Sequence, residues 1–377
     1  MSGKRVIVIR TDTLDRETRA TKLINTLTEH GYQVTFLCWD RGIKSSRSEK
    51  NEAGIFHREI RLRIKAPWGI KILLLLPVWW GFVFLQLMRE RWDMVHVIQV
   101  TTLPPALIAA RIKGKPVVYD MLDVYEDSIS LPQAIRNVCV AIDKFFMKFA
   151  GGIILADEAQ IEEVGGIPNP ALVTIYDSPH TNVQINLVHR KNEVFTIFFG
   201  GLLYSGKKLN LDRIYEAVKE VEGVRIVFAG YGDLVGEIRD WSREMPDKIK
   251  FIGEISHAQV LEESAKADLL FVLRDPVVRV NRYICGSKIL EAMMCGTPML
   301  VNDGTSTAKK VREENCGLVV KADRIEQIRD AIISLRDNPG LCKKLGDNAR
   351  KAYDERYSWD IMEKRLIDFY EKTIQLG

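Results

Sequence analysis

The sequence predicts an α/β protein built from two doubly wound, Rossmann-like domains. Short β-branched runs alternate with helical patterns in both halves of the chain, which is typical of parallel sheets with crossover helices. A polar, proline-bearing stretch without sustained periodicity, residues 169–186, separates the two series. At 377 residues the chain has room for two cores of ordinary size. Two such domains predict a cleft between them, with ligands bound outside the carboxyl ends of the strands.

The first series begins with a strand and an amphipathic helix. Leu23, Ile24 and Leu27 fall at helical spacing, and Gly31 follows as a C-terminal stop. The predicted strands of this half are residues 4–9, 33–38, 94–98, 116–119 and 152–156. The second half repeats the pattern with strands at residues 195–199, 224–229, 249–252, 269–272, 299–301 and 317–320. Its first helix carries one apolar stripe, which consists of Leu211, Ile214, Tyr215, Val218 and Val221.

Composition limits the partners that we expect. Apolar residues make up 46% and charged residues 28% of the chain, as in a folded protein. The net charge of +4 is mild, and no long Lys/Arg run occurs, so we expect no nucleic-acid partner. The six cysteines form no CxxC pair and no histidine lies at metal-ligand spacing, which predicts reduced thiols and no metal site. The sequence starts directly with a strand and lacks a signal-peptide core, which predicts a cytoplasmic protein.

One apolar segment, residues 72–85, lies between basic flanks and contains the pair Trp79 and Trp80. It is shorter than the roughly 20 residues that a membrane-spanning helix needs. Two interpretations stay open. The segment is either a core or inter-element helix, or an interfacial helix whose tryptophans lie among lipid headgroups.

Residues 286–298 form the most informative segment. Gly286 permits a sharp entry, residues 287–295 read as a short helix, and Gly296 ends it. A helix N-terminus after glycine offers free N–H groups to a diphosphate, and Ser287 and Lys288 lie there. Glu291 follows on the same face, where a carboxylate can accept from both hydroxyls of a ribose. The alternative is a packing stripe of apolar residues with a solvated charged face.

Two more glycine-rich turns follow strands of the same domain. Residues 199–208 include Gly201 and Lys207, and residues 228–233 include Gly230. Glycine followed by a cation suits a backbone that approaches phosphate. Three such strand ends in one domain favour a nucleotide diphosphate ligand.

The chain resembles the retaining glycosyltransferases of family 4, which have the GT-B fold. The strongest match is SKILEAMMCGTPMLV, residues 287–301, which resembles the family's K-x-x-E-A-M-A-x-G-x-P-V-V block. Further similarity covers almost the whole length. It lies at residues 15–19, 39–41, 92–97, 109–120, 175–179 and 357–370.

The resemblance implies a domain layout and roles for single residues. Residues 1–180 would bind the acceptor, residues 181–355 would bind a nucleotide-sugar donor, and residues 356–377 would form a helix that crosses back to the first domain. Gly201 and Lys207 match the turn and the cation that hold the donor diphosphate. Gly230 matches a glycine near the base, and Glu291 matches the glutamate that binds the ribose. Such enzymes transfer the sugar with retention and need no metal or other cofactor.

The sequence departs from the family pattern at three positions. Tyr283 stands where the first glutamate of E-x7-E is expected, Leu202 replaces a phosphate-binding arginine, and Leu122 replaces a histidine. Arg279 or Arg282 can supply the missing cation. Asp123 inherits the carboxylate of the altered block, either as a catalytic group or as a cap for the turn after it.

His96 is the histidine of greatest interest, since its predicted strand ends at the cleft. It is either a catalytic group or a satisfied core histidine.

Three functions remain open. The first is a sugar transferase that acts on a lipid-linked or cell-envelope glycan, as a peripheral protein at the inner face of the cell membrane with contact through residues 72–85. The second is a sugar-nucleotide epimerase of similar architecture, which the poor supply of cleft acid and base groups disfavours. The third is a non-catalytic binding protein.

Overall fold

The computed structural model describes residues 3–14, 18–42, 57–66, 74–123, 133–180, 193–204 and 209–376. The chain divides into two compact units. Unit 1 comprises Met1–Ile175 and Glu363–Gly377, and unit 2 comprises Tyr176–Met362. The expected boundary at residue 180 falls five residues further along the chain, in the same linker.

Unit 1 contains a seven-stranded parallel sheet in the order β3-β2-β1-β4-β5-β6-β7. Its strands are β1 Arg5–Arg10, β2 Gln33–Asp40, β3 Arg58–Arg63, β4 Met94–Ile98, β5 Val117–Met121, β6 Gly152–Leu155 and β7 Leu172–Thr174. The two edge strands β3 and β7 are absent from the sequence prediction. Edge strands are partly solvated and carry no continuous apolar run, as the sequence REIRLR of β3 shows.

The helices of unit 1 lie between these strands. They are α1 Thr18–Glu29, α2 Leu76–Arg89, α3 Leu103–Lys113, α4 Gln133–Met147 and α5 Gln160–Glu163, with a 3₁₀ turn at Val100–Thr102. Trp79 of α2, Ala106 of α3 and Val140 of α4 belong to one hydrophobic cluster with the sheet. These three helices therefore cover the same face of the sheet.

Unit 1 also contains a network of buried polar side chains. The Arg19 guanidinium donates to both Asp120 carboxylate oxygens at 2.9 Å. His96 lies with Nε2 at 3.4 Å from Asp120 Oδ2 and Nδ1 at 2.5 Å from the Tyr370 hydroxyl. Burial alone would raise the pKa of Asp120, but Arg19 and His96 outweigh it and hold that pKa below its usual range. His96 is 0% exposed and its Nδ1 contacts the Tyr370 hydroxyl, which favours the alternative of a core histidine, although its Nε2 makes no hydrogen bond within the described residues.

Helix α2 settles how the apolar segment around Trp79 is oriented. The Trp79 ring is fully buried, stacks on Trp39 at 5.6 Å between ring centroids, and donates from Nε1 to Thr102 at 3.2 Å. The expectation that this tryptophan lies among lipid headgroups is therefore wrong, because its ring forms part of the core. Val78 and Trp80 lie on the exposed side of the same helix. Within the part of the chain that the structure describes, no helix has both the length and the apolarity to cross a membrane.

Unit 2 contains a six-stranded parallel sheet in the order β10-β9-β8-β11-β12-β13. Its strands are β8 Phe195–Leu202, β9 Val224–Tyr231, β10 Ile249–Phe251, β11 Leu269–Val272, β12 Met299–Asn302 and β13 Gly317–Val320. All six were predicted, including the edge strands β10 and β13. The doubly wound architecture predicted for both halves is confirmed.

The helices of unit 2 flank this sheet. They are α6 Leu211–Lys219, α7 Val235–Glu244, α8 His257–Lys266, α9 Arg279–Tyr283, α10 Ser287–Cys295, α11 Ser306–Glu314, α12 Ile325–Asp337 and α13 Pro339–Ala352. A π-helical turn at Tyr353–Tyr357 precedes the last helix, α14 Trp359–Leu376. Residues from Glu363 onward in α14 belong to unit 1.

Candidate functional site

The candidate site lies in unit 2, where strand order reverses. β8 pairs with β9 on one side and with β11 on the other, so the chain runs outward from β8 in both directions. Helix connections that leave adjacent strands on opposite faces open a crevice at the carboxyl ends of those strands. Gly201 is the second-last residue of β8 and Arg274 lies two residues beyond β11, so both lie at this switch point.

The glycines Gly201 and Gly230 are opposite each other in the register of β8 and β9. Their φ angles are +138° and +132°, which side chains rarely adopt. A Cβ atom on Gly230 would overlap the carbonyl oxygen of Gly201. The sheet itself therefore requires glycine at 230, and the contact of Gly230 with a nucleotide base stays a prediction.

Helix α10 begins beside these strand ends. Its N-cap is Gly286, whose conformation is extended, and no side chain caps the helix. The N–H groups that begin with Ser287 therefore stay available to an anion. The apolar residues of the helix, including Ile289 and Met293, are buried, while Lys288 and Glu291 are only partly buried. One side of this helix thus packs on the core and the other carries charge, and its role as a diphosphate and ribose site stays a prediction.

Lys288 reaches back to the end of β8. Its Nζ donates to the Gly200 carbonyl oxygen and lies 4.8 Å from the centroid of the Phe199 ring. A Cβ atom on Gly201 would lie 2.5 Å from the same Nζ. Burial lowers the pKa of Lys288, the charge of Glu291 raises it in part, and the nearby Arg274 lowers it further. An anion bound here would stabilise the charged form of Lys288 and so raise its pKa again.

Arg274 is a cation that the sequence analysis missed. A Cβ atom on Gly286 would lie 2.6 Å from Arg274 Nη2, so the guanidinium lies against the first residue of the α10 turn. The Arg274 backbone N–H donates to Asn302 Oδ1 at 2.6 Å, which ties its strand end to β12. Burial lowers the pKa of Arg274. The sequence did offer a signal for Arg274, namely its position two residues after the strand 269–272.

Arg279 and Arg282, the two replacements expected from the sequence, lie elsewhere on α9. The Arg279 guanidinium lies 5.6 Å from the centroid of the Tyr283 ring, and Arg282 donates to the Pro276 carbonyl. Arg274 accompanies Lys288 at the α10 N-terminus, and the role expected for Arg279 or Arg282 stays a prediction.

Glu291 forms a second missed contact. Its Oε1 lies 3.0 Å from His257 Nε2, with exposed fractions of 13% for the glutamate and 48% for the histidine side chain. His257 is the first residue of α8, which Ser256 and Gln259 hold with a capping box. His257 thus orients one oxygen of the Glu291 carboxylate, a group that can accept hydrogen bonds from ribose hydroxyls.

A cavity of about 450 Å³ continues the same edge of the sheet. It is lined by residues at the ends of β11, β12 and β13 and at the start of α6, among them Asp275, Asn302, Lys321 and Asn210. Its polar lining and size suit part of a small polar ligand. The described residues contain no group of three His, Cys, Asp or Glu side chains that could hold a metal ion.

The structure leaves three predicted site residues without a place at this edge of unit 2: two belong to unit 1, and one is not described. Lys207 lies outside the described residues. His96 and Asp123 belong to unit 1, where Gln99 Nε2 donates to Asp123 Oδ1 at 2.8 Å. Gln99 has a φ of 73°, an unusual value for a side-chain-bearing residue, so the backbone beside Asp123 is strained. The roles expected for Asp123 and Lys207 stay predictions.

Comparison with known protein families finds a match that lies within unit 2. Residues 184–352 match the family described as glycosyl transferases group 1. The chain is 23% identical over 165 residues to a GDP-mannose-dependent monoacylated alpha-(1-6)-phosphatidylinositol monomannoside mannosyltransferase of Corynebacterium glutamicum, a match that covers 42% of this chain and 43% of that protein. It is also 23% identical over 296 residues to the phosphatidyl-myo-inositol mannosyltransferase of Mycobacterium leprae, with 76% and 75% covered.

Among solved structures, a sucrose-phosphate synthase from Thermosynechococcus elongatus superposes with a TM-score of 0.77 at 14% identity, with 99% of this chain and 100% of that chain covered. This likeness shows the fold, and the GT-B class expected from the sequence is confirmed. The match of residues 184–352 to glycosyl transferases group 1 confirms the resemblance at the level of group 1, and family 4 in particular stays a prediction.

Proposed function

We propose that the protein transfers a sugar from a nucleotide-diphosphate sugar to a glycan or lipid-linked acceptor, with retention of configuration. The observation that carries the proposal is the meeting of Arg274, Lys288 and the uncapped N-terminus of α10 at the switch point of unit 2. Two cations and a helix N-terminus are what a leaving diphosphate requires as its charge grows.

The other groups of the site take complementary roles. Glu291, oriented by His257, accepts hydrogen bonds from the ribose hydroxyls. Because Gly201 has no side chain, the nucleotide sugar can approach the backbone at that position. Lys207 adds a further cation to the diphosphate. Because these cations neutralise the diphosphate, the donor binds without a metal ion, and addition of EDTA leaves turnover unchanged. Loss of activity in EDTA that Mg²⁺ or Mn²⁺ restores would contradict this part of the proposal.

The acceptor side is supported by the relatives. Both mannosyltransferases described above are named for phosphatidylinositol-linked acceptors. We propose an acceptor of the same chemical class, a polar glycan carried on a lipid, and peripheral association with the inner face of the cell membrane.

The central experiment replaces Glu291 with Gln. A charge-assisted hydrogen bond contributes about 1.5 to 3 kcal/mol, so donor affinity falls by roughly tenfold to 150-fold while the fold is retained. Isothermal titration with UDP, GDP and ADP sugars measures the affinity, and nucleotide release from the same panel measures turnover. Glu262→Gln, an exposed glutamate on α8, is the matched control and leaves both quantities unchanged.

The outcomes separate the alternatives. Release of free nucleotide supports a transferase, interconversion of the sugars indicates an epimerase, and binding with neither indicates a non-catalytic binding protein. If Glu291→Gln binds the donor as wild type does, the ribose assignment is wrong. His257→Gln separates the contribution of His257 from that of Glu291. Loss of the orienting histidine alone weakens donor binding less than loss of the Glu291 charge.

A further inference from the structure

Helix α4 exposes its apolar side. Ile135, Val138, Ile142 and Phe145 on the helix, and Phe149 just beyond it, are each 50% to 60% exposed. Their spacing of three and four residues places them on one stripe. The rings of Phe145 and Phe149 pack edge to face with centroids 5.2 Å apart, so they form a continuous apolar patch.

The opposite side of α4 is buried and mixed in character, since Val140 and Met147 pack in the hydrophobic cluster beside two charged residues. Arg136 and Asp143 are buried, and Asp143 accepts from the Tyr119 hydroxyl at 3.2 Å. An amphipathic helix normally buries its apolar stripe in the core. Here a mixed side contacts the protein, while four large apolar side chains of the helix, with Phe149 just beyond it, face outward, which marks an interaction surface.

The neighbouring helices extend this patch. α2, α3 and α4 cover the same face of the sheet, and their outer sides expose Val78 and Leu85 on α2 and Ile108 and Ile112 on α3. We call the outer sides of these three helices, with Phe149, the α2–α4 face.

The charge of the α2–α4 face selects its partner. Arg89, Arg111 and Lys148, on or at the ends of the three helices, are exposed and basic, and the carboxylate of Glu90, which follows α2, is paired with Arg58 at 2.9 Å. The three helices contain a single acidic residue, Asp143, which is 3% exposed and faces inward. Cations among exposed apolar and aromatic side chains match an anionic lipid surface, in which rings enter the headgroup layer and cations contact phosphates. Two copies joined through this face by a twofold axis would bring like charges together.

We propose that the α2–α4 face binds a membrane surface rich in anionic phospholipid. The proposal deepens the peripheral association proposed above and places it on α4 and the outer side of α2, whereas Trp79 stays in the core. It does not depend on which sugar is transferred.

The test is co-sedimentation with vesicles. The full-length protein sediments with vesicles of phosphatidylglycerol and phosphatidylcholine, binds less to phosphatidylcholine alone, and is released by high salt. The variant Ile142→Ser/Phe145→Ser/Phe149→Ser lowers the partition coefficient by about tenfold or more, because three apolar side chains no longer enter the layer. Val277→Ser, which replaces an exposed apolar side chain of unit 2, leaves binding unchanged.

A second variant keeps the test valid if the serine variant folds poorly. Arg111→Glu/Lys148→Glu alters only exposed side chains and reduces binding to the anionic vesicles while the circular dichroism spectrum stays that of wild type.

Three results would overturn the proposal. They are wild-type protein that ignores anionic vesicles, variants that bind as tightly as wild type, and a wild-type dimer that the serine variant converts to monomer, since a second copy would then cover the face. Nucleotide release from the donor panel, measured without vesicles in the same samples, reports the sugar-transfer proposal separately.

Discussion

Lys288 joins the chemistry of the site to its local structure. Its ammonium is held by the Gly200 carbonyl and the Phe199 ring, both at the end of β8. Burial lowers its pKa from the ordinary 10.5, and Arg274 lowers it further against the opposing effect of Glu291. A bound ligand anion would oppose these effects and stabilise the charged form of Lys288.

Donor affinity should therefore fall as the pH becomes alkaline. Below its lowered pKa, Lys288 is charged and binds the diphosphate. As pH rises through that pKa the charge is lost, so affinity falls at a pH below 10.5. Titration calorimetry with the nucleoside diphosphate that binds, over a series of alkaline buffers, measures the effect.

The matched variant is Lys288→Arg, whose guanidinium stays charged throughout this range. It should remove the alkaline fall in affinity. An identical fall in both proteins would show that a different group titrates.

Helix α2 shows how differently two adjacent positions of one element behave. Trp79 contributes its ring to the core, and Val78 contributes to the α2–α4 face. The segment was interpreted from the sequence as one unit, either core or interface. A helix has two sides, and in α2 one side is buried in the core while the other is exposed.

Replacing Trp79 with Ala should destabilise unit 1 by about 3 to 5 kcal/mol, because a large buried ring leaves a cavity. The hydrogen bond to Thr102 and the stacking on Trp39 are lost as well. Denaturant unfolding followed by circular dichroism measures the change. Val78→Ser, on the exposed side, should change the free energy of unfolding by less than about 0.5 kcal/mol. Equal effects of the two variants would contradict the orientation of α2.

At the scale of the whole molecule, the end of the chain completes the core of unit 1. Tyr370 is 0% exposed and contacts His96, and Leu366 and Phe369 are buried with it. Although unit 1 begins at the N-terminus, part of its core thus comes from residues that follow unit 2 in sequence.

Tyr370→Ala should accordingly lower hydrogen-exchange protection in β1 and β4 of unit 1 and leave β8 and β9 of unit 2 unchanged. Loss of the buried ring costs about 3 to 5 kcal/mol, whereas Tyr370→Phe loses only a hydrogen bond of about 0.5 to 1.5 kcal/mol. Lys372→Ala, an exposed neighbour on the same helix, serves as control. Loss of protection mainly in unit 2 would show that the terminal segment supports the other core.

The sequence by itself determined what is local. Alternating apolar runs gave the central strands of both sheets, and Gly286 followed by Ser287, Lys288 and Glu291 gave the helix N-terminus and its charges. These features depend on neighbours within a few residues, whose spacing directly reflects helix or strand period.

Only the tertiary structure decided which distant groups meet and which side of a helix is covered. His257 and Glu291 are 34 residues apart in sequence, and Lys288 and Gly200 are 88 apart. The apolar stripe of α4 has the spacing of a core-facing helix and yet lies outside. Periodicity identifies a stripe but not its partner, since that depends on strand order and on the rotation of each helix against the sheet.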